Sequence, residues 1–264
     1  MAILPAGFGV LVTRPAGQAE ALCQRINDSG GTAIRAPLIE IEAIAIGEED
    51  VRRLGKLEGV DWLVFVSVNA VRCAFELLGP QWLTQCKAKI AAIGQATALA
   101  LAEKGFPVDL KPKQQFNSEA LLAEPAWSNV EGQRFLIIRG EGGRELLAET
   151  LRTRGGFVEY ASVYRRKPAD LNMRGILSAW RAGRIGVVAI TNGEALDRLA
   201  QIMAVGSEDL LRETPMVIIG ERLAKRAREL GCAQVTSVGA SDADIFDALV
   251  RIGQELTKTH QTRG

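Results

Sequence analysis

Histidine is almost missing from this chain: the single residue is His260, in a polar C-terminal stretch. That segment is expected to fray, which argues against a triad built on histidine. The four cysteines, Cys23, Cys73, Cys86 and Cys232, are scattered and form no C-x-x-C pair. That argues against a zinc site and a disulfide framework, and for reduced, mostly packed thiols in a cytoplasmic protein. No excess of charge exists either: 32 Lys and Arg stand against 31 Asp and Glu, for a net charge of +1. With no charge run, neither a bulk nucleic-acid binder nor a membrane-surface binder is indicated. Eighteen consecutive apolar residues occur nowhere, so no membrane span is expected. The opening MAILPAGFGVLVTRP is short, broken by Pro5 and Gly7, and lacks a basic start. Val10–Thr13 is predicted to be a buried strand rather than part of a signal peptide. A Walker GxxxxGK[ST] loop is also missing.

What the chain does contain is a duplication. VLVTRPAGQAEALCQRINDSGGTAIRAPLIEIE (10–42) aligns with FLIIRGEGGRELLAETLRTRGGFVEYASVYRRK (135–167) at a constant offset of 125. Arg14 then falls on Arg139, Gly17 on Gly142, Glu20 on Glu145 and Gly30-Gly31 on Gly155-Gly156. A second pair comes next, VFVSVNAV (64–71) over VAITNGEA (188–195) at offset 124 and IAAIGQATALALAEKG (90–105) over MVIIGERLAKRARELG (216–231) at offset 126. The order is A-B-A′-B′, so ancestral duplication is the economical explanation.

The short apolar runs VLV, WLVFV, IAAIG, FLIIR, VVAIT and MVIIG are buried-strand material. They alternate with amphipathic segments such as AEALCQRI, where Ala19, Leu22, Cys23 and Ile26 recur at helical spacing. Pro15 suits a first helical turn, and Gly30, Gly105, Gly155 and Gly231 stand where helices should stop. Strands alternating with helices predict an α/β protein of two doubly wound parallel-sheet domains, flavodoxin- or Rossmann-like. Such sheets bind ligands beyond the carboxyl ends of their strands. The informative positions are therefore Thr13-Arg14, Ser67 and Asn69, Gly94 and Thr97, Arg139-Gly140, Thr191-Asn192-Gly193, and Gly220.

The stretch LIIRGEGGRELL (136–147) has the outline of a phosphate loop. Its GEGGRE, however, puts Glu145 where a dinucleotide fingerprint needs its third glycine, and Glu141 adds negative charge inside the turn. Glu159, taken as the end of the following strand, could imitate the ribose-binding acid. A nucleotide-dependent α/β enzyme is thus kept as one alternative, and a cytoplasmic two-domain protein binding an anionic ligand as another. Arg14 and Arg139 admit two readings, a salt bridge to a nearby carboxylate or an anion contact at a cleft rim. Ser67, Asn69, Thr191 and Asn192 are equally candidates for helix caps, which would expose backbone N–H groups to an anion.

Taken together, FVSVNAV, AAIGQATA, KPKQQFNSEALL, LIIRGEGGRELLAETLRTRGGFVEYASVYRR, AITNGEAL and VIIGERLAKRARELG resemble the uroporphyrinogen-III synthase family over about residues 8–250. The resemblance implies closure of hydroxymethylbilane, a linear tetrapyrrole with eight carboxylates, to uroporphyrinogen III with inversion of ring D and loss of water. It implies no metal and no cofactor, and transient contact with the preceding bilane-forming enzyme; the charge balance and the lack of a long apolar run already point away from a nucleic-acid or membrane partner. It further implies a monomer with discontinuous domains, 1–36 plus 168–264 and 42–163. Connecting strands at 37–41 and 164–167 would join them, with the active site in the inter-domain cleft. Tyr164 matches the family's linker-strand tyrosine and becomes the candidate proton donor for the departing hydroxyl. A phenol of ordinary pKa, about 10, is protonated at neutral pH. The alternative for Tyr164 is an aromatic packed against one domain. Thr97 matches a family threonine, but its duplicate slot holds Leu223, which weakens any symmetric pair. Ser67, Asn69, Thr97, Thr191, Asn192 and Gly193 match family positions, and with the strand-end residues Thr13, Arg14, Gly94, Arg139, Gly140 and Gly220 they make up the expected substrate-binding set.

Overall fold

The computed structural model describes residues 3–44, 54, 57–113, 117–204 and 206–261. Residues 114–116 of KPKQQFNSEALL and the side chain of His260 lie outside the described residues. In chain order the first elements are β1 (Gly9–Val12), α1 (Ala16–Asp28), β2 (Thr32–Arg35) and β3 (Ile39–Ala43). Next come β4 (Trp62–Phe65), α2 (Val68–Leu78), β5 (Lys89–Ala92), α3 (Gln95–Glu103) and α4 (Ser118–Leu122). β6 (Arg134–Gly140), α5 (Leu146–Thr153), β7 (Phe157–Pro168) and α6 (Met173–Arg181) come after them. The chain ends with β8 (Val187–Ile190), α7 (Gly193–Met203), α8 (Glu208–Glu213), β9 (Met216–Ile219), α9 (Glu221–Glu229), β10 (Val235–Val238) and α10 (Asp242–Gln261).

Two compact units result, Met1–Glu40 with Lys167–Gly264, and Ile41–Arg166. The chain leaves the first within β3 and re-enters it within β7. The first unit holds a sheet of order β10-β9-β8-β1-β2 and the second a sheet of order β3-β7-β6-β4-β5. The pairs β1–β2, β1–β8, β8–β9 and β9–β10 are parallel, as are β4–β5, β4–β6 and β6–β7. Each sheet reverses its direction of growth once, between β1 and β8 in the first unit and between β4 and β6 in the second. These switch points are where an open α/β sheet leaves a crevice at its strand ends.

The continuous apolar runs result from burial on both faces. Along β4, Leu63 and Phe65 face a core with Val71, Phe75, Trp82 and Leu101. Trp62 and Val64 face the opposite core, with Leu121, Trp127, Leu147 and Leu151. In the first unit Val10, Val12, Leu22, Ile26, Ala189, Val217 and Leu249 share one core. Burial of each such large side chain contributes about 1.5–3 kcal/mol. The expected glycine stops take positive φ: Gly30 93°, Gly105 89°, Gly155 83° and Gly231 90°. A left-handed residue past a helix costs glycine nothing and other residues strain. Pro15 sits one position earlier than expected, as the N-cap of α1. Cys23, Cys73 and Cys232 are buried and Cys86 half-buried, all free, and burial pushes each thiol up, away from the reactive thiolate.

The structure shifts one alignment. Ser67 caps α2 and Asn192 caps α7, each accepting from the backbone N–H three residues on. The structural partner of Ser67 is therefore Asn192, at offset 125, not Thr191 at offset 124. The cap is fixed by whichever acceptor side chain reaches the orphan N–H of the first turn, not by residue similarity. Glu159 is also relocated: it is the third residue of β7, beside Arg134 at the start of β6 at 3.4 Å. It lies at the amino end of the sheet, away from any ligand at the strand termini, which removes the residue that kept the ribose analogy alive.

Candidate active site

In the second unit, a cavity of about 260 Å³ opens at the switch point between β4 and β6. Ser67, Ser118, Arg139, Gly140, Arg144 and Tyr164 line it, together with Gly142, Gly143, Tyr160 and Arg166. Tyr164 is only 5% exposed, and its hydroxyl lies 3.1 Å from Ser67 Oγ. Two local features put the ring there. First, the β6–β7 ladder shifts register after Arg139: Arg139 faces Ser162, and Gly140 faces Tyr164. The extra residue, Val163, alters the strand's alternation and re-aims the side chains after it, as bulges do. Second, Gly140 leaves room, since a Cβ there would lie 2.5 Å from Tyr164 Cε2. The Glu141 N–H donates to the Tyr164 carbonyl at 2.8 Å, closing the strand end. The Arg166 guanidinium stands 5.8 Å from the centre of the Tyr164 ring.

Arg139 is 7% exposed and is bonded to its own turn through all three guanidinium nitrogens. Nη1 donates to Glu145 at 2.9 Å, Nη2 to the Gly142 carbonyl, and Nε to the Gly140 carbonyl at 3.3 Å. Its guanidinium lies over the Tyr160 ring at 4.6 Å, and the Tyr160 hydroxyl donates to the other oxygen of Glu145. This hydrogen bond, with Arg139 adding to it, lowers the Glu145 carboxyl below its ordinary range. Burial and then the Glu145 carboxylate raise the Tyr160 phenol. Gly142 and Gly143 have φ of 68° and 102°. They bend the turn around the guanidinium, and a Cβ on Gly143 would meet Arg139 Nη2 at 2.8 Å.

The first unit repeats the scheme with different partners. Thr13 is wholly buried, and its hydroxyl donates to the Ala189 carbonyl at 2.8 Å, stitching β1 to β8 at their switch point. Arg14 Nη1 meets Asp242 at the start of α10, at 2.5 Å. The salt-bridge reading therefore holds for both duplicated arginines. Asn192 Oδ1 accepts from Ala195 N–H at 2.8 Å, with Thr191 before it and Gly193 opening α7. Gly94 and Gly220 are the N-caps of α3 and α9 and supply no side-chain acceptor to the first-turn N–H groups. Gly220 has φ 76°, which only glycine adopts without strain. Thr97 is 4% exposed in the first turn of α3, and Asn69 stands in the first turn of α2.

Of the thirteen sequence-derived positions, Ser67, Arg139, Gly140 and Tyr164 share the cavity of the second unit. Asn69, Gly94 and Thr97 stand at the strand ends beside it. Thr13, Arg14, Thr191, Asn192, Gly193 and Gly220 stand at the strand ends of the first unit. Sequence reasoning did not single out Ser118, Arg144 or Arg166. Ser118 comes directly after the cap Asn117, whose side chain accepts from Ala120 N–H, a cap-then-helix signal visible in FNSEALL. Arg144 meets Glu119 at 2.8 Å, and no spacing rule pairs these two. Among the described residues, no group of three or more His, Cys, Asp or Glu could hold a metal ion. No helix of the described residues is long and apolar enough to cross a membrane.

Fold and site define a two-unit, doubly wound α/β protein whose strand ends present hydroxyls, helix N-termini and internally paired arginines. A family model described as uroporphyrinogen-III synthase HemD matches residues 20–247. The chain is 35% identical to the uroporphyrinogen-III synthase of Salmonella typhimurium over 90% of its length and 97% of that protein. It is 34% identical to that of Escherichia coli, with the same coverage. The chain belongs to the uroporphyrinogen-III synthase family. Solved structures agree in fold: a mutant uroporphyrinogen III synthase from Thermus thermophilus matches with a TM-score of 0.63 at 20% identity, over 94% of this chain and 99% of that one. The uroporphyrinogen-III synthetase from Helicobacter pylori matches with a TM-score of 0.61 at 16% identity, over 93% and 99%.

Proposed function

We propose that this protein closes hydroxymethylbilane to uroporphyrinogen III, as a cyclising carbon–oxygen lyase of the cytoplasm that takes its substrate from the bilane-forming enzyme. The observation that carries the reading is the buried Tyr164 hydroxyl, paired with Ser67 on a cavity at a strand-end switch point, in a chain of this family. Loss of hydroxide from the bilane leaves an electron-poor azafulvene. Ring D then attacks through its substituted carbon, giving a spiro intermediate; the bond from that carbon to the methylene bridging rings C and D breaks, and that methylene bonds instead to the free α-carbon of ring D, which sheds its proton. Unassisted closure yields the type I isomer, so the protein's main work is to hold the chain in the geometry of the other attack. Tyr164 donates the proton that lets the hydroxyl leave as water.

The substrate carboxylates are taken by backbone N–H groups at α3 and α9, behind Gly94 and Gly220, and by hydroxyls and amides at Asn69, Thr97, Thr191, Asn192 and Gly193. Thr13 frames the strand ends. Arg14 and Arg139 hold their turns in shape through Asp242 and Glu145, and contribute positive potential more than direct contact.

The test is product analysis. Hydroxymethylbilane is generated in situ, the protein added, and the porphyrins oxidised and separated. Type III is expected; type I as the sole isomer at high protein concentration would overturn the assignment. Tyr164→Phe is expected to lower the rate about tenfold yet keep measurable type III formation, because a donated proton is only part of the acceleration. Rates equal to the parent's would remove Tyr164 from the proton-donor role.

A further inference from the structure

We infer that Ser67 is a positioning residue: its hydroxyl sets the direction of the Tyr164 O–H bond and receives the charge left when that proton departs. The inference rests on the proton-donor reading of Tyr164 above, and it reassigns Ser67 from substrate contact to partner of the tyrosine. A serine hydroxyl has one donor and two lone pairs. Ala70 N–H, in the first turn of α2, occupies one lone pair at 3.0 Å. The 3.1 Å contact with Tyr164 can then run two ways. If the phenol donates to the second lone pair, its proton is spent inside the protein. If Ser67 donates to the phenolic oxygen, the phenol proton is free to face the cavity.

Three features favour the second arrangement during reaction. Accepting from Ala70 N–H polarises Ser67 and makes its O–H a better donor, since bonds in a chain strengthen each other. Ser67 is also the N-cap of α2, an eleven-residue helix whose positive end favours negative charge nearby. Finally, Tyr164 cannot turn elsewhere: it is 5% exposed, with its ring against Gly140. In the step itself, the Tyr164 proton passes to the hydroxyl oxygen of the bilane as its C–O bond breaks and water leaves. The phenolate left behind accepts from Ser67 O–H. The proton shed when the closing pyrrole regains its aromaticity returns to that oxygen and restores the phenol.

A double-mutant cycle separates positioning from mere helix capping. Ser67→Ala is expected to lower kcat about tenfold, the scale of a hydrogen bond to a charged group. In a Tyr164→Phe background the same change should alter kcat less than about twofold, because its partner has gone. Ser67→Thr, which keeps cap and hydroxyl, should restore most of the rate. Ser67→Asp keeps the cap but cannot donate, and should lose kcat as Ser67→Ala does while melting close to the parent.

A second readout needs no turnover. Tyr160 and Tyr164 are the only tyrosines, so Tyr160→Phe leaves one phenol to monitor by tyrosinate absorbance. Adding Ser67→Ala should move its alkaline ionisation midpoint up by about one pH unit. Multiplicative effects in the cycle, or an unmoved midpoint, would overturn the inference. If Tyr164→Phe alone is fully active, the proton-donor reading fails instead, and the midpoint still decides whether Ser67 stabilises the phenolate.

Discussion

Gly140 illustrates how a residue can matter through what it leaves out. Its missing Cβ is the space occupied by the Tyr164 ring, at 2.5 Å from Cε2 and 2.6 Å from Cζ. The ring is buried and rigid, with no flexible end to withdraw. Gly140→Ala should therefore cost about 1–3 kcal/mol by overpacking and reduce type III formation by about tenfold, as Tyr164→Phe does, through displacement of the phenol. Thermal melting and initial rates check the two parts, and a parental rate in Gly140→Ala would show that ring placement is not the issue. The Arg139–Glu145–Tyr160 group predicts a pH effect. The Glu145 carboxyl is lowered on folding, so its contribution is complete above its unfolded value and fades as pH falls through the folded one. The Tyr160 phenol is raised, so its contribution holds below its unfolded value and fades as pH climbs through the folded one. Glu145→Gln should therefore lower Tm at pH 7 and converge with the parent in acid, below the ordinary carboxylate range. The carboxylate is largely exposed, so the difference stays below about 1 kcal/mol. Parallel Tm–pH curves would contradict it. Glu145 and Arg139 were visible in the sequence as duplicated positions, but their pairing was not. The loop that joins them turns on two left-handed glycines, and nothing in one-dimensional spacing fixes where such a turn delivers its ends.

Among the elements, the strands and helix stops were the most legible. Burial on both faces forces unbroken apolar runs, and glycine past a helix end is a local requirement. Caps were legible as a set of candidates but not by position. Asn192, not Thr191, holds the Ala195 N–H. Asn192→Ala should cost about 1 kcal/mol, whereas Thr191→Ala should leave Tm nearly unchanged; comparing the two melts decides between them. The β7 strand carries the feature that sequence could least reveal. Its register shift at Arg139/Gly140 places Tyr164 opposite Gly140. The run SVYRR alternates no differently from a regular strand, because a bulge is a property of two strands and their ladder.

For the whole molecule, strand pairing decides the architecture. The first repeat contributes β1 and β2 to a sheet completed by β8, β9 and β10 of the second repeat. The strands between, β3 to β7, pair among themselves. The second unit is thus one continuous stretch of chain. Residues 41–166 are expected to fold by themselves, since the strands of their sheet and both of its cores lie almost wholly within the stretch. The expected result is cooperative thermal unfolding with helical and strand circular dichroism. A non-cooperative melt would mean that the unit needs the rest of the chain.

What the sequence determined by itself was the local and the repeated. It marked which segments are buried strands, where helices stop, that two α/β repeats exist, and which residues stand just past the strands. Each of these rests on periodicity, backbone freedom or side-chain type within a short window. Tertiary structure alone decided which strands became neighbours, that the two arginines close on Glu145 and Asp242, and that Tyr164 meets Ser67 across 97 residues of chain. Those outcomes depend on register, clearance and distant partners. A repeat with an offset of 125 is equally consistent with tandem or exchanged pairing, and only the hydrogen-bonded sheets separate the two.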